Sequence, residues 1–581
     1  MKSDTGTLNE LWAKLLIKEL IHHGVRMFCI SPGSHNTIFT VAAAEHPLAE
    51  THVHFDERGM GFHALGYAKG SGTPTALIVT SGTAVANLLP AIMEAYYDQV
   101  PLIVITADRP PELRDCGANQ TTDQVKIFED FVRWQVDLPC PDGKIPHSYI
   151  GTTISQAVAH ATSSPQGPVH LNCMLRKPFL PPVDSPSLKL HSSTRSPHGA
   201  QTTFTAGVNT LQARDLEQLA EELSEHEKGL ILVSGTTPIE SIESLHALSR
   251  LLQWPIFPDV LSSARSAGAG YGVIPYYDLI LKALGANEDF APEAILQIGD
   301  RFVSKTLLDW VSSKKPKVHC HIAPHILRKD PIHSITHRIA CAITPFLESL
   351  PKHLPGRPPS NWLHVWKELN TLTSHSLDAF FKEHQSLSEP LLFHHLAATL
   401  TDATGLFLSN SMPVRNADTF FCPENPVGPI HCNRGLSGID GNIASAAGIT
   451  RGLGKPLLAI LGDLAFLHDL NSLAQTHKLP LKTLVINNDG GSIFSFLPIR
   501  ERKEVFTPFF KAPHGLDLQH AAPLFKLPYH RPETFEELQA ILSDPHSSLI
   551  EMQTPSLQNL EMHQDILLHL KEVQNRLRLS V

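Results

Sequence analysis

Along most of the chain, short and largely apolar runs alternate with longer stretches in which apolar residues recur every three or four positions. The runs at 26–30, 75–80, 102–106, 169–172, 229–234, 294–298, 456–461 and 482–486 have the length and composition of strands buried on both faces. Residues 8–23 carry a helical period with Gly24 placed to close it, and 60–69 and 558–579 also read as helices. Strands separated by helices predict an α/β fold of doubly wound parallel sheets.

Two Pro-rich stretches, 177–199 and 351–359, break the alternation and read as extended linkers. A chain of 581 residues is too long for one core. The breaks predict three doubly wound α/β domains, at 1–190, 200–350 and 360–581. No short-period repeat and no low-complexity tail is visible.

Composition narrows the function by exclusion. A formal net charge of −10 argues against binding nucleic acid or an anionic membrane surface, so anionic substrates would need a local basic pocket. The 34 histidines show no zinc-ligand spacing. The eight cysteines are widely spaced, read as small core residues, and point to a reducing compartment. Residues 1–5 lead into a polar-patterned helix and no run of 18 apolar residues occurs, so a cytoplasmic chain without membrane insertion is expected.

Two of the predicted strands end abruptly in small polar residues, Gly462-Asp463-Leu464 and Asn487-Asn488-Asp489-Gly490-Gly491. Ligands bind at the carboxyl ends of strands in a parallel sheet, so both clusters should face one crevice. Asp463 and the Asn488 amide offer hard oxygens, and the Gly490 carbonyl is approachable because no side chain shields it. Mg²⁺ keeps few protein ligands and shares its shell with phosphates, so these residues point to a Mg²⁺–diphosphate site. The plain alternative is two strand ends closed by turn residues.

The first predicted domain has two further clusters. Asp56 and Glu57 stand between a short strand and a helical run, where Asp56 suits a helix cap. Residues 80–87 form a strand end followed by a small-residue helix start, suited to a ligand or to a partner helix. The loop after the strand at 102–106 carries Arg109, Arg114, Asn119 and Gln120. Its arginines could clamp carboxylates in bidentate fashion, or could staple the loop through Asp108, Glu112 or Asp115.

The strand-end pieces at 462–464 and 487–490 resemble the metal and diphosphate motif of thiamine-diphosphate (ThDP) enzymes, with Leu464 where a glycine is usual. The stretches 31–34, 56–58, 80–87, 106–120, 433–441, 462–471 and 487–498 are similar, in order, to the 2-succinyl-5-enolpyruvyl-6-hydroxy-3-cyclohexene-1-carboxylate (SEPHCHC) synthase family of menaquinone biosynthesis. Residues 299–305 carry a weaker likeness in the middle of the chain.

The resemblance implies ThDP and Mg²⁺ as cofactors, with Mn²⁺ able to substitute. Asp463, Asn488 and Gly490 would hold the metal, and Glu57 would hold the aminopyrimidine of ThDP as the catalytic acid. Ile439 would bend the cofactor, and Ile493, Phe494 and Leu497 would wall its rings. The implied activity is that of a transferase: decarboxylation of 2-oxoglutarate and conjugate addition of the succinyl-semialdehyde carbanion to isochorismate. Arg109, Asn119, Gln120 and Lys305, with Ser34 and His35 nearby, would face isochorismate; Ser411, Arg415 and Arg434 would face the 2-oxoglutarate part. A homodimer or dimer of dimers is implied, with Glu57 of one chain reaching ThDP held by the other.

Two positions depart from the family pattern. His35 stands where an arginine is usual and Thr306 where a basic residue is common. A neutral imidazole cannot replace a charged fork, and losing such a contact costs on the order of 1.5–3 kcal/mol. A weakened or pH-dependent isochorismate site is therefore expected, with Arg58 or Arg301 as compensators. The competing readings are another ThDP-dependent 2-oxo acid decarboxylase or carboligase, and a non-catalytic protein of the same fold.

Overall fold

The computed structural model describes residues 4–182, 199–235 and 238–578, with side chains to 573. Most of the linker predicted at 177–199 lies outside these residues. The chain forms two compact units. The first comprises Met1–Ala206, Asn433–Leu457 and Ala465–Leu481; the second comprises Gly207–Cys432, Leu458–Leu464 and Lys482–Val581.

Three sheets are present among the described residues. The first contains β1 (Met27–Ile30), β2 (Glu50–Val53), β3 (Thr75–Val79), β4 (Leu102–Asp108), β5 (Trp134–Leu138) and β6 (Val169–Met174), in the order β2-β1-β3-β4-β6-β5. The second contains β7 (Gly229–Val233), β8 (Ile256–Pro258), β9 (Ala294–Ile298), β10 (Val318–Ala323) and β11 (His337–Ala340), ordered β11-β10-β9-β7-β8. The third contains β12 (Gly405–Leu408), β13 (Ile430–His431), β14 (Leu457–Gly462), β15 (Leu481–Asn487), β16 (Tyr529–His530) and β17 (Ser548–Gln553), ordered β13-β12-β14-β15-β17-β16. The strands run parallel. Helices intervene, as the alternation predicts.

The strand residues explain why both faces of these sheets are covered. Phe28, Ile30, Ile103 and Ile105 enter one apolar cluster, while Met27, Cys29, Leu102 and Val104 enter another on the opposite face. Leu230 and Leu232 likewise part from Ile231 and Val233 in the second sheet. Side chains alternate in direction along a strand, so an unbroken apolar run requires a helix layer on each side.

Short edge strands escape the sequence pattern. β11, β13 and β16 are two to four residues long, and β5 is mostly half-buried. Cys116 is exposed and Cys140 half-buried, unlike the other six cysteines, which are in the core as expected. Among the described residues no helix is long and apolar enough to cross a membrane.

Candidate active site

In the second unit, β14 delivers Asp463 and β15 delivers Asn488 at neighbouring carboxyl ends. Asp463 is buried. Its Oδ2 accepts from the amides of Gly490 (2.8 Å) and Asn488 (3.2 Å) and contacts His514 Nε2 at 3.3 Å. Its Oδ1 accepts from the Leu464 amide at 2.7 Å.

The Asn488 side chain is held at one end only. Its Nδ2 donates to Glu389 Oε1 at 3.3 Å, while its buried Oδ1 has no hydrogen-bond partner among the described residues. A buried acceptor without a donor is costly, and a cation would satisfy it. Gly490 sits at φ +120°, and a Cβ there would lie 2.0 Å from the Lys511 carbonyl oxygen, so only glycine fits the turn. One carboxylate, one orphaned amide oxygen and a glycine carbonyl suit a hard divalent cation that shares its shell with phosphate.

Beside this cluster, Ile493 and Phe494 are half-buried and Leu497 is 47 % exposed. Phe494 meets the Phe510 ring edge-on at 5.4 Å. These side chains thus form an open apolar wall, not closed core. Ser411 precedes the Met412–Phe420 helix at φ +74°, and its carbonyl accepts from Arg415 Nη1 at 2.6 Å. Lys305 opens the Lys305–Lys314 helix, well exposed and paired with Asp309.

The first unit carries the remaining candidates. Asp56 caps the Glu57–Ser71 helix, accepting from the Arg58 amide at 2.9 Å, as a carboxylate at that junction should. Its other oxygen accepts from Asn471 Nδ2 at 2.5 Å, and Arg58 donates to the His468 carbonyl at 2.9 Å. Arg58 is therefore committed to this contact, which argues against its serving as the expected compensator for His35. Glu57, between these two anchors, is half-buried and takes no hydrogen-bond or ion-pair partner among the described residues.

The Glu57–Ser71 and Asn442–Leu453 helices pack closely through glycines: a Cβ on Gly66 or Gly448 would lie 2.1 Å from the Ser445 or His63 carbonyl oxygen. The loop before the second helix bears Arg434 and Ile439. Glu94, buried, accepts from the Gly435 amide at 2.6 Å and the Leu436 amide at 2.7 Å, and so clamps this loop.

The arginine-bearing loop resolves into one staple and one presented guanidinium. Arg114 donates to Asp108 Oδ2 at 2.8 Å, the stapling alternative. Arg109 donates instead to His35 Nδ1 at 2.7 Å, and its buried Nε has no partner among the described residues. His35 is 3 % exposed, donates from Nε2 to the Asp108 carbonyl at 2.9 Å and lies edge-on to Phe179. Burial, then the Arg109 charge, push its pKa down to about 4. The imidazole is thus neutral at physiological pH, with both nitrogens occupied. Of the expected weakened or pH-dependent site, a pH dependence carried by His35 does not fit this arrangement.

Gln120 is exposed at φ +54°, its Nε2 donating to the Ser81 carbonyl at 3.0 Å and its own carbonyl accepting from Ser81 Oγ at 2.9 Å. Asn119 and Ser34 are exposed beside it in sequence or on the neighbouring turn. Sequence reading missed Glu389, Glu94 and His514, whose partners in the site lie 25 or more residues away and leave no local signature.

Comparison with known proteins gives the family. Residues 12–127 match the thiamine pyrophosphate enzyme N-terminal TPP binding domain, and 201–408 match a middle domain of thiamine pyrophosphate enzymes. A SEPHCHC synthase of Rubrobacter xylanophilus is 40% identical over 572 residues, covering 98% of this chain and 99% of the relative. Those of Salinibacter ruber (40%, covering 95% of each chain) and Bacillus velezensis (36%, covering 95% and 96%) are similar along nearly their whole length. Similarity at this level over almost the entire chain carries more than any single motif: the chain belongs to the SEPHCHC synthase family of thiamine-diphosphate enzymes.

Proposed function

We propose that this protein is a SEPHCHC synthase of menaquinone biosynthesis: a ThDP-dependent transferase that decarboxylates 2-oxoglutarate and joins the resulting four-carbon unit to isochorismate, releasing CO₂. The observation that carries the reading is the orphaned Asn488 Oδ1 beside Asp463, at adjacent strand ends of a chain similar throughout to such synthases. ThDP supplies a carbon nucleophile that adds to 2-oxo acids and stabilises the charge left by loss of CO₂.

The chain's residues then have separable tasks. Asp463, Asn488 Oδ1 and the Gly490 carbonyl would hold Mg²⁺, or Mn²⁺, against the cofactor's diphosphate. Glu57, with no competing partner, would hold and exchange a proton with the aminopyrimidine. Ile439, Ile493, Phe494 and Leu497 would shape an apolar enclosure that excludes water from the reacting carbon. Ser411, Arg415 and Arg434 would bind the carboxylates of 2-oxoglutarate. Arg109, Asn119, Gln120, Lys305 and Ser34 would orient isochorismate.

Three domains, at 1–190, 200–350 and 360–581, and a homodimer or dimer of dimers complete the proposal. Val53 and Phe55, 59 % and 65 % exposed on either side of His54, support a covered face next to Glu57. A cytoplasmic location suits eight cysteines without a disulfide.

The test is isochorismate consumption by the purified protein with ThDP, Mg²⁺ and 2-oxoglutarate, omitting each in turn. Consumption that needs all of them is expected. Decarboxylation with isochorismate untouched would favour a plain 2-oxo acid decarboxylase, and absence of ThDP binding a non-catalytic fold. Mixing Glu57→Gln and Asp463→Asn chains tests the dimer: shared sites regain part of the activity, whereas sites within single chains regain none.

A further inference from the structure

The His35–Arg109 contact defines its own protonation state. The Asp108 carbonyl can only accept, so His35 Nε2 carries the hydrogen. Arg109 Nη1 can only donate, so Nδ1 carries none. One neutral tautomer satisfies both bonds, whereas an imidazolium would keep the Asp108 bond but turn a second N–H and a positive charge onto Arg109. The ring cannot easily turn, because it is buried against Phe179 with centroids 4.4 Å apart. The charged groups facing it are Arg109, Asp108 and Lys177.

The same contact fixes Arg109. Asp108 sits under it as a hub, its carboxylate accepting from the Arg109 amide (2.7 Å), Arg114 (2.8 Å) and Asn172 (3.0 Å). That carboxylate is thereby drawn away from the Arg109 guanidinium, whose one described side-chain partner is a neutral nitrogen. An arginine held by a carboxylate has spent its charge; one held by an imidazole keeps it for a ligand. The buried, unpartnered Nε is a second donor left open.

We propose that His35 is a positioning residue for the acceptor substrate: as a neutral Nε2–H imidazole it fixes the Arg109 guanidinium, charge unspent, to receive a substrate carboxylate. The inference rests on the proposed synthase reading, in which Arg109 faces isochorismate. It replaces the idea of a weakened contact with that of an indirect one.

The test uses the full-length enzyme with ThDP and Mg²⁺. His35→Leu removes the acceptor for Arg109, and His35→Asn keeps an acceptor oxygen near Nδ1. Losing a hydrogen bond to a charged group predicts a roughly tenfold or larger rise in KM for isochorismate in His35→Leu. KM for 2-oxoglutarate and the ThDP Kd stay unchanged, and His35→Asn recovers most of the loss. In an Arg109→Ala background, His35→Leu adds nothing further.

A His35→Leu enzyme with unaltered KM for isochorismate would overturn the proposal, as would an equal effect in the Arg109→Ala background. If His35→Leu fails to fold, wild type and His35→Asn decide. Their pH profiles of kcat/KM for isochorismate should superimpose between about pH 5.5 and 8, and a limb near an ordinary histidine pKa of about 6.5 in wild type alone would refute a permanently neutral ring. Wild type that consumes no isochorismate at all would fault the synthase reading instead.

Discussion

Glu389 offers the sharpest test of how the proposed metal-binding oxygens are held. It is fully buried at the start of the Glu389–Thr399 helix. Oε2 accepts from Asn416 Nδ2 at 2.7 Å and Oε1 from Asn488 Nδ2 at 3.3 Å. An amide has a donor end and an acceptor end, and a carboxylate can only accept, so Glu389 decides that Asn488 turns its oxygen the other way. Glu389→Gln keeps the volume but leaves one accepting oxygen for three donors, Asn416, Asn488 and, at 3.5 Å, Thr554 Oγ1. If that oxygen stays on the shorter bond to Asn416, the Asn488 amide faces an N–H group. An unsatisfied buried donor costs about 1–3 kcal/mol, and flipping Asn488 to relieve it removes one oxygen from the proposed cation site. The half-saturating Mg²⁺ concentration should rise roughly 5- to 150-fold. The assay is Mg²⁺ titration of ThDP binding by calorimetry, checked against ThDP-dependent activity. Burial, which outweighs the bonds from Asn488, Thr554 and Asn416, raises the Glu389 carboxyl to about 7. The comparison therefore belongs near pH 8.5, roughly 1.5 units higher, where the wild-type group is ionised. A folded Glu389→Gln protein with wild-type Mg²⁺ dependence would refute the reasoning.

Two further outcomes follow from the same geometry. Gly490→Ala places a Cβ 2.0 Å from the Lys511 carbonyl at φ +120°; the backbone strain alone is about 1–3 kcal/mol. ThDP with Mg²⁺ should then fail to raise the melting temperature, and a normal ligand-induced shift would contradict the assignment of this turn. Asp469, buried and accepting from the Ala444 amide and Ser472 Oγ, has its carboxyl raised to about 6 from 3.8, burial being the dominant cause. The unfolded chain loses this proton first, so the group's contribution to stability falls by about 2 kcal/mol as pH rises from 4 to 6. Denaturant titrations across that range should show the slope in wild type and its loss in Asp469→Asn; equal slopes would sink the argument.

What the sequence makes legible follows from the range of the interaction. β9 is visible to the residue, because an unbroken run of apolar side chains needs no knowledge of its partners. The strand-end positions of Asp463 and Asn488 follow from the same local logic, as does the cap at Asp56. The edge strands do not, since two or three residues carry no period. His35 marks the limit more sharply. Its residue type shows that it can donate or accept one bond, but only the fold shows that a carbonyl 73 positions away takes the donor and leaves Nδ1 for Arg109. Glu389 and Glu94 read locally as helix residues, and their roles exist only through partners 99 and 341 positions distant.

These carboxylates also resolve the tension between a chain of net charge −10 and a reading that gives it dicarboxylate substrates. Asp108, Glu94 and Glu389 are buried, and each is turned inward onto backbone amides, a stapling arginine or carboxamides. Such carboxylates hold loops without projecting negative charge outward, because their lone pairs are taken by donors. Several loops they brace, or stand next to, contain residues in left-handed backbone, Gln120, Ser411, Ser437 and Asp489. A left-handed non-glycine residue persists only when its surroundings over-determine it. Charge-assisted bonds to the flanking backbone do this at Glu94, whose two bonds reach the amides of Gly435 and Leu436, directly before Ser437. Thus the acidic residues serve as the frame and Arg109 as the half-buried charge that no carboxylate among the described residues pairs. The field an approaching carboxylate meets depends on that local order, and the sign of the whole chain does not set it.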